Sequence, residues 1–150
     1  MNNTFKVPEF IIKLDSKAKA SERIKIESSK DTYKVFKEVF DADTIDWTET
    51  MIILALSNSN KVLGFYKLSS GGQTGVICDP KIVFQFALLS NASNIILAHN
   101  HPSGSLQPSK ADKMITEKIK EAGKLLDIRL LDHLIITSEG YYSFSDDCLL

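Results

Sequence analysis

Two histidines separated by one residue, His99-Asn100-His101, follow the apolar run Ile95-Ile96-Leu97-Ala98. The run reads as a buried strand, and because strand side chains alternate faces, His99 and His101 leave the same side of the chain as a two-imidazole clamp. Pro102 ends ladder pairing, and Ser103-Gly104-Ser105 with Pro108 supplies a loop. Ser109 is followed by Asp112 at the head of an amphipathic run through Met114, Ile115, Ile119, Leu125 and Leu126. That pattern predicts a helix starting about Pro108 to Lys110, with Asp112 in its first turn. Two neutral imidazoles and a carboxylate are the kind of donor set that holds Zn²⁺ and leaves a fourth position for water. Water so placed ionises near neutral pH and can attack a carbonyl. A hydrolase of this type also needs a base.

Each part has a plainer reading on its own. His-x-His recurs at strand ends without metal, and Ser-x-x-Asp is commonly a capping box, its carboxylate favoured by the helix dipole. On one strand-loop-helix unit the two together are far more specific. Glu49, at the entrance of the apolar run Met51 to Leu56, reads by spacing alone as a solvated edge residue. His133 sits in an apolar strand pattern and is expected to play a structural role, with Asp132 fixing its tautomer.

The pattern His99-x-His101-Pro102, then Ser109-x-x-Asp112, resembles the JAMM (MPN+) metalloprotease signature. HNHPSG together with the later LDHLIIT resembles the bacterial RadC-like branch, over about Glu49 to Phe144. The resemblance implies an α/β (α+β) fold of the JAB/MPN-like, cytidine-deaminase-like kind, a mixed β-sheet flanked by helices. It implies His99, His101 and Asp112 as ligands of Zn²⁺, Glu49 as general base and Ser109 as the hydroxyl that stabilises an oxyanion. The activity implied is a zinc-dependent hydrolase, a peptidase or isopeptidase with a peptide or protein substrate. RadC-like proteins also carry a DNA-repair association, but the helix-hairpin-helix module that would contact nucleic acid is not evident before Glu49. A third reading is an inactive scaffold that binds a partner, against which the complete ligand set argues.

At 150 residues and 43% hydrophobic, the chain suits one core, read as a single domain over residues 46–150 with an N-terminal extension over 1–45. Lys plus Arg (18) nearly balance Asp plus Glu (19), so charge gives no support for a dedicated nucleic-acid surface. Cys78 and Cys148 form no Cys-x-x-Cys pair and read as free thiols. With no signal-type segment and no membrane-length apolar stretch, the expectation is a soluble cytoplasmic protein.

The remaining elements must position the chemistry. Short strands are expected within Phe5 to Leu14 and Arg23 to Ile26, as a terminal hairpin or arm. A helix capped at Ser28 to Asp31 runs to Phe40 with Tyr33, Phe36, Val39 and Phe40 on one side, and Trp47 is expected to pack in the core or at an edge. Residues 51–68 read as a hairpin at the centre of the sheet, Thr74 to Cys78 as a short strand, and Asp79-Pro80 as the start of a helix. That helix is expected to bury Ile82, Val83, Phe86, Ala87 and Leu89. The helix from Ser109 to Leu126 is interrupted by Gly123, either a close-packing point or an early end, and Ile128 to Thr137 with Tyr141 to Phe144 forms a final hairpin, after which the last residues fray.

Overall fold

The computed structural model describes residues 19–71 and 78–150. The strand expected within Phe5 to Leu14, and nearly all of that over Thr74 to Cys78, lie outside the described residues. The elements are α1 (Ser29–Val39), β1 (Thr50–Leu56), β2 (Val62–Ser70), α2 (Pro80–Leu89), β3 (Asn94–Asn100), α3 (Lys110–Leu125), β4 (Arg129–Ile136) and β5 (Tyr141–Ser143). The five strands form one mixed sheet in the order β2-β1-β3-β4-β5. β3 and β4 are parallel, as a crossover through α3 requires, and the other neighbours are antiparallel. This is the α/β architecture, a mixed sheet flanked by helices, that the resemblance implies.

β1 and β3 are the central strands, covered on both faces, which is why they read as unbroken apolar runs instead of alternating ones. Ile52, Leu54, Ile96, Ala98 and Leu134 meet Phe36 and Phe40 around α1 on one face. Ile53, Ala55, Ile95 and Leu97 meet Val83, Phe84 and Ala87 of α2 and Ile119 of α3 on the other. The parity places His99 on the α2/α3 side of β3 and Asn100 on the α1 side.

Several expectations need correction. The 51–68 hairpin is present, but β2 is an edge strand, with Phe65, Tyr66 and Lys67 exposed. Lys25 makes only an isolated bridge to Lys61, so residues 23–26 are no strand. α2 buries Phe84 where Ile82 was expected, and Ile82 and Leu89 face outward. Trp47 is 85% exposed, because the turn that carries it is fixed by backbone hydrogen bonds and not by its ring. Of the two roles expected for Gly123, close packing holds and an early end does not, since α3 runs on to Leu125. A Cβ on Gly123 would lie 2.2 Å from the Ile128 carbonyl oxygen, so glycine is what lets the helix end pack against the approach to β4. The chain end does not simply splay outward: Leu149 N donates to Phe144 O at 2.8 Å and Leu150 packs against the α2/α3 cluster.

Both cysteines are free, and burial, with Asp79 alongside, pushes the Cys78 thiol up to about 12. Among the described residues no helix is long and apolar enough to cross a membrane.

Candidate metal centre

The site lies at the carboxyl ends of the parallel pair β3 and β4, where the first turn of α3 returns over the sheet, the usual place for a ligand in such a layer. His99 is the penultimate residue of β3 and fully buried, and His101 follows just beyond the strand. Their Nε2 atoms lie 2.9 Å apart. His101 Nδ1 sits 2.7 Å from the Ser105 carbonyl oxygen, which only accepts, so this nitrogen carries the proton and leaves Nε2 of the neutral ring as a lone pair. His99 Nδ1 has its own partner in the buried ring of His133, at 2.8 Å, which turns Nε2 of His99 into the cluster.

Asp112 approaches from α3. Its Oδ1 is 3.3 Å from His99 Nε2 and its Oδ2 is 3.7 Å from His101 Nε2. It is held there by the capping box: Ser109 N donates to Oδ2 at 2.7 Å, and Asp112 N donates to Ser109 Oγ at 3.1 Å. The capping reading of Ser-x-x-Asp is therefore met, and the same geometry turns the Asp112 carboxylate toward the two imidazoles. Burial works to raise the Asp112 carboxyl, but the facing imidazoles of His101 and His99 outweigh it and hold the group well below the usual carboxylate range. The Asp112 side chain in turn raises His101, against the opposing effect of burial. The field of the cluster thus favours positive charge.

Glu49 enters from the segment before β1. One of its carboxylate oxygens and one ring nitrogen from each of His99 and His101 lie within 4.8 Å of one another, a cluster that could hold a metal ion. The donor chemistry fits such an ion: four-coordinate Zn²⁺ with bonds of about 2.0–2.1 Å sets its ligand atoms roughly 3.3 Å apart. The separations of 2.9, 3.3 and 3.7 Å among His99, His101 and Asp112 bracket that edge.

What brings Glu49 here is Asn100, which sequence reasoning passed over. Its side chain is fully buried on the face opposite the imidazoles. It donates to Ile45 O at 2.6 Å and Thr48 O at 2.9 Å and accepts from Thr50 N at 2.7 Å, clasping the backbone on both sides of Glu49. Gly71 N adds a bond to Glu49 O at 3.2 Å. The residue between the two histidines therefore sets where the acid stands relative to them. Asn100→Ala leaves two carbonyls and an N–H without partners, and is expected to cost about 2 kcal/mol or more, read from urea denaturation. The arrangement of His99, His101 and Asp112 should survive in that variant, because their supports lie elsewhere.

Asp132 does not fix the tautomer of His133. Its carboxylate accepts from His133 N at 2.7 Å, Ser143 Oγ at 2.7 Å and Ser145 N at 3.0 Å, joining β4 to β5 and the turn beyond. Burial still raises its pKa above the ordinary carboxylate value, against those three bonds. The ring of His133 faces His99 and Thr116 instead.

The model of the RadC-like JAB domain matches residues 26–149. The chain belongs to the RadC-like JAB domain family. Among its relatives, a UPF0758 protein of Flavobacterium johnsoniae is 49% identical over 123 residues, covering 82% of this chain and 52% of that protein. A UPF0758 protein of Chlorobaculum tepidum is 38% identical over 127 residues, 85% of this chain and 56% of its own length. One from Thermotoga maritima is 38% identical over 123 residues, 82% and 54% respectively. The chain spans about half the length of the curated relatives it matches. The match to this RadC-like JAB domain begins at residue 26 and so takes in α1, whose Phe36 is part of the same core as β1 and β3.

Proposed function

We propose that this RadC-like JAB domain is a zinc-dependent hydrolase of the JAMM type that cleaves peptide or isopeptide bonds. The observation that carries this reading is the convergence of two imidazole Nε2 atoms and two carboxylates from three separate segments, β3, α3 and the approach to β1. His99, His101 and Asp112 are the residues that would hold Zn²⁺. When bound, the ion supplies a Lewis acid that polarises a carbonyl and lowers the pKa of water toward neutrality.

The chain's own groups divide the remaining work. Glu49 is the general base: its carboxylate accepts a proton from the attacking water and returns it to the nitrogen of the leaving amine. Ser109 Oγ already accepts from Asp112 N, which leaves its single hydrogen free to donate to the oxygen that gains charge on the substrate carbonyl. Asn100 and the capping box act through these residues, holding the acid and the serine in place.

The test is metal removal and return. Protein purified without chelator is expected to carry nearly one zinc per chain and to cleave members of a panel of peptide- and isopeptide-linked substrates. Chelator treatment should abolish cleavage, and added Zn²⁺ should restore it. Zinc-free protein with undiminished cleavage, or zinc-loaded protein inert across the panel, would contradict the proposal.

A further inference from the structure

We infer that Thr116 and His133 fix the tautomer of His99 through two consecutive hydrogen bonds, and thereby set the affinity of the cluster for Zn²⁺. The affinity part rests on the metal reading above; the tautomer part stands on hydrogen-bond geometry alone. Thr116 Oγ1 lies 2.6 Å from the Asp112 carbonyl oxygen, one turn back in α3. A carbonyl can only accept, so the single hydroxyl hydrogen is committed there, as is common for threonine in a helix. Toward His133 Nδ1, at 2.7 Å, the same oxygen must accept. His133 Nδ1 therefore carries a proton.

His133 is fully buried and, among the described residues, no carboxylate is hydrogen-bonded to its ring, so the ring is neutral and its Nε2 is bare. Nε2 must then accept across the 2.8 Å to His99, which places the proton of His99 on Nδ1. In the neutral ring, Nε2 of His99 is left as a lone pair turned toward Asp112 and His101. The direction of the whole chain is pinned at its far end by a helix carbonyl. Reversing it would require Thr116 to give up the Asp112 oxygen. Phe144 lies flat against His133, with centroids 4.9 Å apart and planes at 13°, so the ring is held in the plane in which both bonds can form.

Buried histidines often do no more than satisfy their neighbours, and a filler role predicts that losing one remote hydroxyl leaves the metal site alone. The inference predicts otherwise. In Thr116→Val, His133 loses the acceptor for Nδ1–H and is free to carry its proton on Nε2, which opposes Nδ1–H of His99. The outer partners of metal-ligating histidines are typically worth about 10–100-fold in affinity. A Zn²⁺ competition titration against a chromogenic chelator should show a loss of that size for Thr116→Val and near wild-type affinity for Thr116→Ser. As a second pair, His133→Leu should lose affinity and His133→Gln, whose amide oxygen can accept from His99, should keep most of it.

Nitrogen-15 spectra of the imidazoles in the metal-free chain supply the independent readout: Nδ1–H is expected at both His99 and His133. A protonated Nε2 on neutral His133 would overturn the inference whether or not metal binds. So would wild-type Zn²⁺ affinity in folded Thr116→Val and His133→Leu, or a serine variant as weak as the valine one. A wild-type chain that takes up no Zn²⁺ would sink the metal reading and the affinity part with it, while the spectra still decide the tautomer.

Discussion

Glu49→Gln is expected to keep its zinc and lose turnover by about 10²–10⁴-fold, the range usually lost with a general base. The substitution is nearly isosteric, and the backbone at residue 49 is held by groups it does not alter: Gly71 N on Glu49 O, and Asn100 on Ile45, Thr48 and Thr50. A carboxamide oxygen can still accept a hydrogen bond but cannot take a proton at neutral pH, so orientation is preserved and proton transfer is not. The measurement pairs metal content after dialysis with the rate on any substrate the wild type cleaves. Equal rates for the two proteins would remove Glu49 from the chemistry.

Most of the sheet could be read from the chain because the signals are strong where burial is complete. Met51 to Leu56 and Ile95 to Ala98 are covered on both faces, and no polar residue interrupts them. The convergence of His99, His101 and Asp112 was legible for a related reason: strand alternation and a helix cap are local rules, and these residues with Ser109 obey them within one strand-loop-helix unit. What failed was non-local. Asp132 next to His133 suggested a pair, yet neighbours on a strand point to opposite faces, and the true partner of His133 is Thr116 on another element. A signal for Thr116 did exist, since the spacing from Asp112 puts both on one helix face. Asn100 gave none, because nothing near it in the chain names carbonyls 52 and 55 positions upstream as its acceptors. Trp47 misled because a lone tryptophan is expected to be buried, whereas here the turn is secured by hydrogen bonds and the ring is left at the surface.

Asp112→Ala should have the largest effect on the metal. On the ligand set proposed above it deletes a donor atom outright, so the loss in Zn²⁺ affinity is expected to exceed about 100-fold, beyond what partners one hydrogen bond further out command. It also removes the acceptor of Ser109 N, and with it about 1 kcal/mol of helix capping. Asp112→Asn separates these contributions. The amide oxygen can still accept from Ser109 N, so thermal denaturation of the metal-free Asn variant should stay close to wild type, while metal content after dialysis falls because the negative charge facing both imidazoles is gone. The bond from Thr116 ends on the backbone oxygen of residue 112, so neither substitution disturbs the orientation of His133. Read together with Glu49→Gln, the pair assigns the two acids. Should Asp112→Ala hold its zinc while Glu49→Gln sheds it, the ion is held by Glu49, His99 and His101, whose donor atoms are close enough to allow it. The base would then have to be sought on α3. The opposite pattern, zinc kept with glutamine at 49 and lost with alanine at 112, follows from a ligand fixed by a helix cap and a base fixed by an asparagine on the far side of the sheet.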